Sequence, residues 1–182
     1  MSFHYVFETA MGFCGIAWSE RGIRRFALPM SAPASVEERM TRSLQGSIAC
    51  EPQGTVAEAV EATRCYFAGE RIEFSSFPLD LEDVDAFRHA IYGAARRLVY
   101  GQTTTYGRLA AAAGFPQSAR ETGVALGRNP VPLIIPCHRI LAAGGKLGGF
   151  SAPGGTTTKQ RMLALEKAQP PNSGPMQPSF AF

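Results

Sequence analysis

The pentad Pro136-Cys137-His138-Arg139-Ile140 follows an apolar run, Val131-Pro132-Leu133-Ile134-Ile135, and precedes a glycine-rich stretch from 144 to 149. A cysteine that ends a buried strand with histidine and arginine beside it is a candidate activated thiolate, because ionisation turns a thiol into a strong nucleophile. Neighbouring side chains of an extended chain point to opposite faces. His138 therefore reaches Cys137 directly only if the chain leaves β geometry near Pro136; otherwise a water must bridge them. A histidine base also needs an acceptor to orient it. Glu166 is the candidate, since a glycine-rich loop can return the last helix to the cysteine. Asn129, before Pro130, can brace the preceding turn and offer a donor to the sulfur. By residue type alone, an inert buried cysteine beside a surface histidine remains open.

Periodicity outlines the elements that must position these groups. Residues 3–28 read as a β-meander: Phe3, Tyr5 and Phe7 alternate with His4 and Val6, and two further runs flank the turn Ser19-Glu20-Arg21-Gly22. Residues 35–45 and 55–68 read as helices on Val36, Met40, Leu44 and on Val56, Val60, Phe67, with a loop at 46–54. The segment 74–81, which holds Pro78, reads as extended or an edge strand. From residue 85, Phe87, Ile91, Ala94, Ala95 and Leu98 share a helical face that Gly101 can stop. Thr105 can cap a helix over 106–113 that ends at Gly114. The next helix starts either at Ser118, with a capping box to Glu121, or with Pro116 at its first position, and ends by 127–129. Two short helices about a Gly-containing turn outline a helix-turn-helix, a pattern shared by ordinary helical hairpins. Residues 158–168 read as a last helix, and 169–182, rich in Pro, Ser, Gly and Gln, as a disordered tail.

The 182 residues, 45% hydrophobic and 18% charged, suit one domain or two small ones. A net charge of +3 is compatible with nucleic acid as a partner without demanding it. The four cysteines form no CxxC pair and no zinc-finger or ribbon spacing, so no metal is expected. Residues 1–13 show neither a basic n-region nor a long apolar run. The expectation is a cytoplasmic protein with free thiols and no membrane association.

Residues 84–167 resemble the C-terminal domain of the O6-alkylguanine-DNA alkyltransferases, the methylated-DNA–protein-cysteine methyltransferases. The shared residues are Tyr100-Gly101-Gln102-Thr103, Thr105-Tyr106-Gly107, Ser118-Ala119-Arg120, Gly123, Asn129-Pro130-Val131-Pro132, the whole pentad around Cys137, and Lys159 with Glu166. The N-terminal part matches loosely, through Tyr66-Phe67-Ala68-Gly69 and Pro78-Leu79-Asp80. The resemblance implies a two-domain α/β (α+β) protein. A small ribonuclease H-like sheet domain would span 1–82 and a mostly helical catalytic domain with a helix-turn-helix 83–168, followed by the tail. It implies a monomer, without cofactor, that acts on double-stranded DNA containing O6-alkylguanine. The helix-turn-helix would dock in the minor groove, the damaged base would flip out, and its alkyl group would pass irreversibly and stoichiometrically to Cys137.

Roles follow from the same resemblance. His138 would take the proton of Cys137 through water, Glu166 would polarise His138, and Asn129 would brace the turn. Tyr106 would protonate the guanine ring nitrogen, and Arg120 would replace the extruded base. Ser151 would bond O6, the Ile140 carbonyl would read the exocyclic amine, and Lys159 would support the active-site loop. Ala119, Gly123 and Ala125 are small enough for close approach to a groove. Thr104, Thr105, Arg108 and Arg128 could meet the DNA backbone.

The chain departs from the family in its loop Gly149-Phe150-Ser151-Ala152-Pro153-Gly154-Gly155, about two residues longer, with Phe150 for tyrosine. Tyr92 replaces tryptophan, and Asp83-Val84-Asp85 replaces Gly-Thr; both look structural. A lesion-binding module and a Cys–His hydrolase remain as competing classes. The intact Cys137 argues against the first, and the lack of motifs around His4 and His89 against the second.

Overall fold

The computed structural model describes residues 1–168; the tail expected at 169–182 lies outside the described residues. The chain is a mixed α/β structure. Strands β1 (Phe3–Thr9), β2 (Gly12–Ser19) and β3 (Gly22–Met30) form the expected antiparallel meander. Helix α1 (Pro33–Ser43) leads to a two-residue strand β4 (Ile48–Ala49), which pairs parallel with β1 inside the segment read as a loop. The sheet order is β3-β2-β1-β4. Helix α2 (Gly54–Phe67) follows, then α3 (Ala86–Arg96), β5 (Thr104–Thr105), α4 (Tyr106–Ala112), α5 (Ala119–Gly127), β6 (Ile140–Leu141) and α6 (Gly155–Leu165). The short strands β5 and β6 pair parallel.

Alternation splits the sheet into two faces, as period-2 burial requires. Phe7, Cys14, Ile16, Phe26 and Leu28 point into the large core, which continues through Ile91, Leu126 and Ile134 to Met162. Ala17 and Ala27 point the other way and pack on Val36 and Met40 of α1. Trp18 pairs with Ile23 but Ala17 pairs with Arg25, so Arg24 is an extra, bulged residue. The bulge reverses the facing of β3, which buries Ile23 and Phe26 on one side despite their odd spacing. It also sends Arg24 to Asp83 (2.9 Å) and Asp80 (3.5 Å).

The segment 74–81 is not a strand among the described residues. It makes one bridge, Ile23 to Leu79, with Ile23 N–H on the Pro78 carbonyl and Asp80 N–H on the Ile23 carbonyl, both at 2.9 Å. Pro78 has no N–H to extend the ladder. Asp85 caps α3, its side chain accepting from the Arg88 N–H at 2.8 Å. The Tyr92 hydroxyl, buried in α3, donates to the Ala125 carbonyl of α5 at 2.8 Å. Thr105 caps α4 as expected. Ser118 is the N-cap of α5, but its side chain makes no capping bond, so neither the capping box nor the Pro116 start is realised. Helix α6 begins three residues before the expected 158, at Gly155. No helix among the described residues is long and apolar enough to cross a membrane.

Helix α1 is seated by two contacts. His4, buried in β1, bonds Ser47 Oγ (2.9 Å) and the Glu37 carboxylate (2.6 Å). Gly15 of β2 leaves the space that Val36 and Met40 fill: a Cβ there would lie 2.6 Å from Val36 Cγ1 and 2.9 Å from Met40 Cγ. Val36 is β-branched and cannot swing aside. Gly15→Ala should therefore destabilise the fold by about 1–3 kcal/mol through overpacking, read as a lower urea midpoint with an unchanged slope.

Candidate active site

The apolar run ahead of the cysteine, expected as a strand, breaks into turns. The Ile135 N–H closes on the Val131 carbonyl at 2.9 Å, and buried Leu133 takes a left-handed backbone, φ 77°. Pro130, Pro132 and Pro136 lack the N–H groups that a ladder needs. Cys137–Arg139 then forms one turn of 3-10 helix. At three residues per turn, successive side chains diverge by about 120°. Cys137 meets an open cleft, while His138 and Arg139 turn into the protein.

Asn129 holds that turn at both ends. Its Nδ2 donates to the Ile135 carbonyl and its Oδ1 accepts from the Val131 N–H, each at 2.9 Å. Burial pushes the Cys137 thiol above its ordinary value. The Asn129 side chain, the charge of Lys159 and the N–H groups of Cys137 and His138 pull the other way without overcoming it. Burial therefore favours the neutral thiol at rest, so a thiolate forms only with a base to take the proton. Arg139 does not flank the sulfur. Its guanidinium is spent on Glu166 and on the Leu98 carbonyl.

Behind the cysteine lies a buried relay. His138, fully buried, bonds Glu166 Oε1 through Nε2 at 2.7 Å. Burial pushes the imidazole below its ordinary value against the pull of Glu166. The neutral ring donates Nε2–H to the carboxylate, which leaves Nδ1 as the basic nitrogen, and Nδ1 has no partner among the described residues. Burial alone would push the Glu166 carboxyl up. The bonds from His138 and the Arg139 fork outweigh it and hold Glu166 well below the usual carboxylate range. Two further donors complete the site: the Tyr66 hydroxyl of α2 at 2.8 Å and the Gly101 N–H at 2.9 Å. Gly101 has φ 78°, and a Cβ there would sit 3.0 Å from the Glu166 carbonyl, so only glycine suits this approach.

Lys159, also fully buried, donates to the Ile140 carbonyl at 2.5 Å. Its ammonium lies 5.8 Å from the Tyr106 ring centroid and 5.9 Å from that of Phe150. Burial lowers its pKa to about 8. Burial also raises that of Tyr106, with the neighbouring Cys137 adding to it, so the phenol keeps its proton.

The cleft on which Cys137 opens has a volume of about 1040 Å³. Tyr106 of α4 and Ala119, Arg120, Gly123 and Arg128 of the α5 region form one wall, with Asn129, Phe150 and Ser151 around the thiol. Several expected residues are already engaged within the protein. The Thr105 hydroxyl caps α4 by accepting from the Arg108 N–H at 3.3 Å. Thr104 is buried, and so is Ala125, whose carbonyl holds Tyr92, so Ala125 faces the core and not a groove. Ile140 is buried behind the cleft, and the Ser151 hydroxyl donates to the Gly127 carbonyl at 2.9 Å.

Sequence reasoning missed Tyr66, Gly101 and Arg139 as partners of Glu166. It also missed Arg25, Arg39 and Arg42, which line the same cleft. The signals present were the shared stretches holding Tyr66, Gly101 and Arg139, which assigned them no partner, and two arginines three apart at 39 and 42. No group of three or more His, Cys, Asp or Glu that could hold a metal occurs among the described residues.

The family model described as 6-O-methylguanine DNA methyltransferase, DNA binding domain, matches residues 86–168. A methylated-DNA–protein-cysteine methyltransferase of Mycolicibacterium paratuberculosis is 43% identical over 117 residues, 64% of this chain and 68% of that protein. One of the same name from Haemophilus influenzae is 46% identical over 102 residues, 56% of this chain and 55% of that protein. Among solved structures, Mycobacterium tuberculosis OGT in complex with DNA superposes with a TM-score of 0.75 at 30% identity, covering 93% of this chain and 95% of that one.

The relay sets an acid limit. His138 and Glu166 are both depressed, from an ordinary 6.5 and 4.5. As pH falls, the unfolded chain takes up protons that the native one refuses. Stability is full above about pH 6.5, then falls through the histidine range and again below about 4.5. Denaturant unfolding at a series of pH values should show both branches. Glu166→Gln should lose about 3–5 kcal/mol at neutral pH, because Arg139 is left buried without its counter-charge, and its acid branch should be shallower.

Proposed function

The chain belongs to the methylated-DNA–protein-cysteine methyltransferase family, and from that premise we propose that it repairs DNA by moving an alkyl group from O6 of guanine onto Cys137, once per molecule. The observation that carries this reading is a cysteine opening on an arginine-lined cleft, backed by a buried imidazole whose Nδ1 is unpartnered among the described residues.

The chemistry is an in-line displacement. The sulfur attacks the alkyl carbon as the carbon–O6 bond breaks. The thiol proton passes to His138 Nδ1 through a water, and Glu166 stabilises the imidazolium that forms. The departing base takes a proton at its ring nitrogen from Tyr106, and solvent carries the proton held by His138 to the Tyr106 phenolate, so the overall exchange leaves guanine, a neutral thioether and both side chains in their starting forms. A thioether is not a leaving group for water, so nothing regenerates the thiol. Because Cys137 rests as a thiol, deprotonation and attack are coupled, which suits a protein that must wait for one rare substrate without reacting with others.

Substrate recognition is assigned to the surrounding groups. The segment α4–turn–α5 serves as a helix-turn-helix whose small residues Ala119 and Gly123 let α5 lie close against the minor groove. Arg120, exposed on α5, fills the gap left by the flipped base, and Arg128 and Thr105 flank the DNA backbone. Ser151 must exchange the Gly127 carbonyl for O6. The Ile140 carbonyl has a second lone pair for the exocyclic amine while Lys159 holds the first. In this division residues 1–82, with a ribonuclease H-like sheet, brace the catalytic region at 83–168 through Tyr66.

Incubation with duplex DNA carrying O6-methylguanine, followed by peptide mass spectrometry, tests the reading. One methyl group on the Cys137 peptide with guanine restored is expected; Cys137→Ser should bind the DNA and stay unmodified. An unmodified wild-type protein that holds the lesion would identify a binder instead. Arg120→Ala should slow transfer from duplex DNA more than from the free alkylated base; equal losses would remove the base-replacement role.

A further inference from the structure

The geometry points to a second DNA-backbone seat in the cleft that α5 lines, in which Arg39 and Arg42 of α1, with Arg25 of β3, grip phosphates beside the flipped nucleotide. The inference rests on the alkyl-transfer reading and extends it from the reacting base to the path of the strand.

The composition of the cleft carries it. Arg25, Arg39 and Arg42, from β3 and α1, and Arg120 and Arg128, from the α5 region, line the cleft, and no Asp or Glu among the described residues does. Five guanidiniums on a lining without acidic residues suit an anion of repeating charge, even though Arg42 pairs with Glu38 outside that lining. A sugar–phosphate backbone supplies one, and the planar fork of arginine matches phosphate oxygens in pairs. The volume agrees. About 1040 Å³ is at the upper end of what a whole drug-sized ligand occupies, so a base fills only part of it.

The individual arginines are free to act this way. Arg39 is exposed and makes no ion pair among the described residues. Arg42 pairs with Glu38 one turn earlier on an exposed helix face, the weak kind of pair that a phosphate displaces. Arg25 is half-buried, with one nitrogen on the Arg24 carbonyl at 2.8 Å. Burial and the neighbouring Arg24 push it below its ordinary value, a strain that an anion in the cleft relieves. Helix α1 is a firm mount. Val36 and Met40 fix its inner face, and His4 holds Glu37, so Arg39 and Arg42, three residues apart, share the face turned to the cleft.

The test is the salt dependence of binding to a duplex carrying O6-methylguanine, in a Cys137→Ser background so that the lesion persists. Removing one arginine–phosphate interaction lowers the slope of log K against log salt by about 0.9. Adding Arg39→Gln with Arg42→Gln should lower the slope by nearly two and weaken binding most at low salt. Arg39→Lys with Arg42→Lys should restore most of the slope, because a point charge still meets a phosphate; no recovery would refute the phosphate contact. An unchanged slope in the glutamine variant, with its melting temperature intact, would overturn the second seat while leaving the alkyl-transfer reading in place. A Cys137→Ser parent that fails to bind, beside a wild-type protein that stays unmethylated, would overturn both.

Discussion

The carboxylate of Glu166 is the point on which the molecule closes. It is almost fully buried at the end of α6 and accepts from Tyr66, Gly101, His138 and Arg139. Those donors come from three separate stretches, the most distant a hundred residues away. A buried anion with fewer donors would be strongly destabilising, and Arg139 alone would be a buried cation. The pair is tolerated because every partner arrives together, so the same contact that orients the histidine also locks α2, the 97–105 connection and α6 around the reactive turn. In the proposed mechanism, catalytic geometry and tertiary closure are one interaction.

That arrangement explains how a thiol with a raised pKa remains useful. The low dielectric that protonates Cys137 also strengthens each dipole aimed at it. Asn129, two backbone N–H groups and the Lys159 ammonium are already in place around the sulfur. Charge that develops there during the reaction meets donors that need no reorganisation. In the proposed reaction the same set of groups surrounds the resting thiol and the charge that develops on it.

The sheet plays a quieter part in the same logic. The Arg24 bulge and the missing side chain at Gly15 decide how β3 and α1 present their arginines. Both are local irregularities in an otherwise regular meander. Together they turn what would be a plain outer face into the wall of a cleft whose floor belongs to the other half of the chain.

Most of the elements, and the residues to which the proposed chemistry is assigned, were legible without coordinates. The meander, the helices near 35–45 and 55–68, the Thr105 cap and the grouping of Cys137, His138, Asn129 and Glu166 follow from periodicity, residue chemistry and family resemblance. The errors fall where local signals compete with distant ones. An apolar run reads as a strand, but its prolines remove the ladder, so 131–135 is a set of turns. Ser118 followed by Glu121 reads as a capping box that the backbone does not use. Residue types and short-range spacing thus determined what could react and which segments were helical or extended, because those depend on neighbours within a few positions. Only the tertiary structure decided that burial pushes the thiol pKa up, that Arg139 and Tyr66 bond Glu166 and that Arg39 and Arg120 line one cleft, because burial and long-range contacts set pKa values and bring distant side chains together.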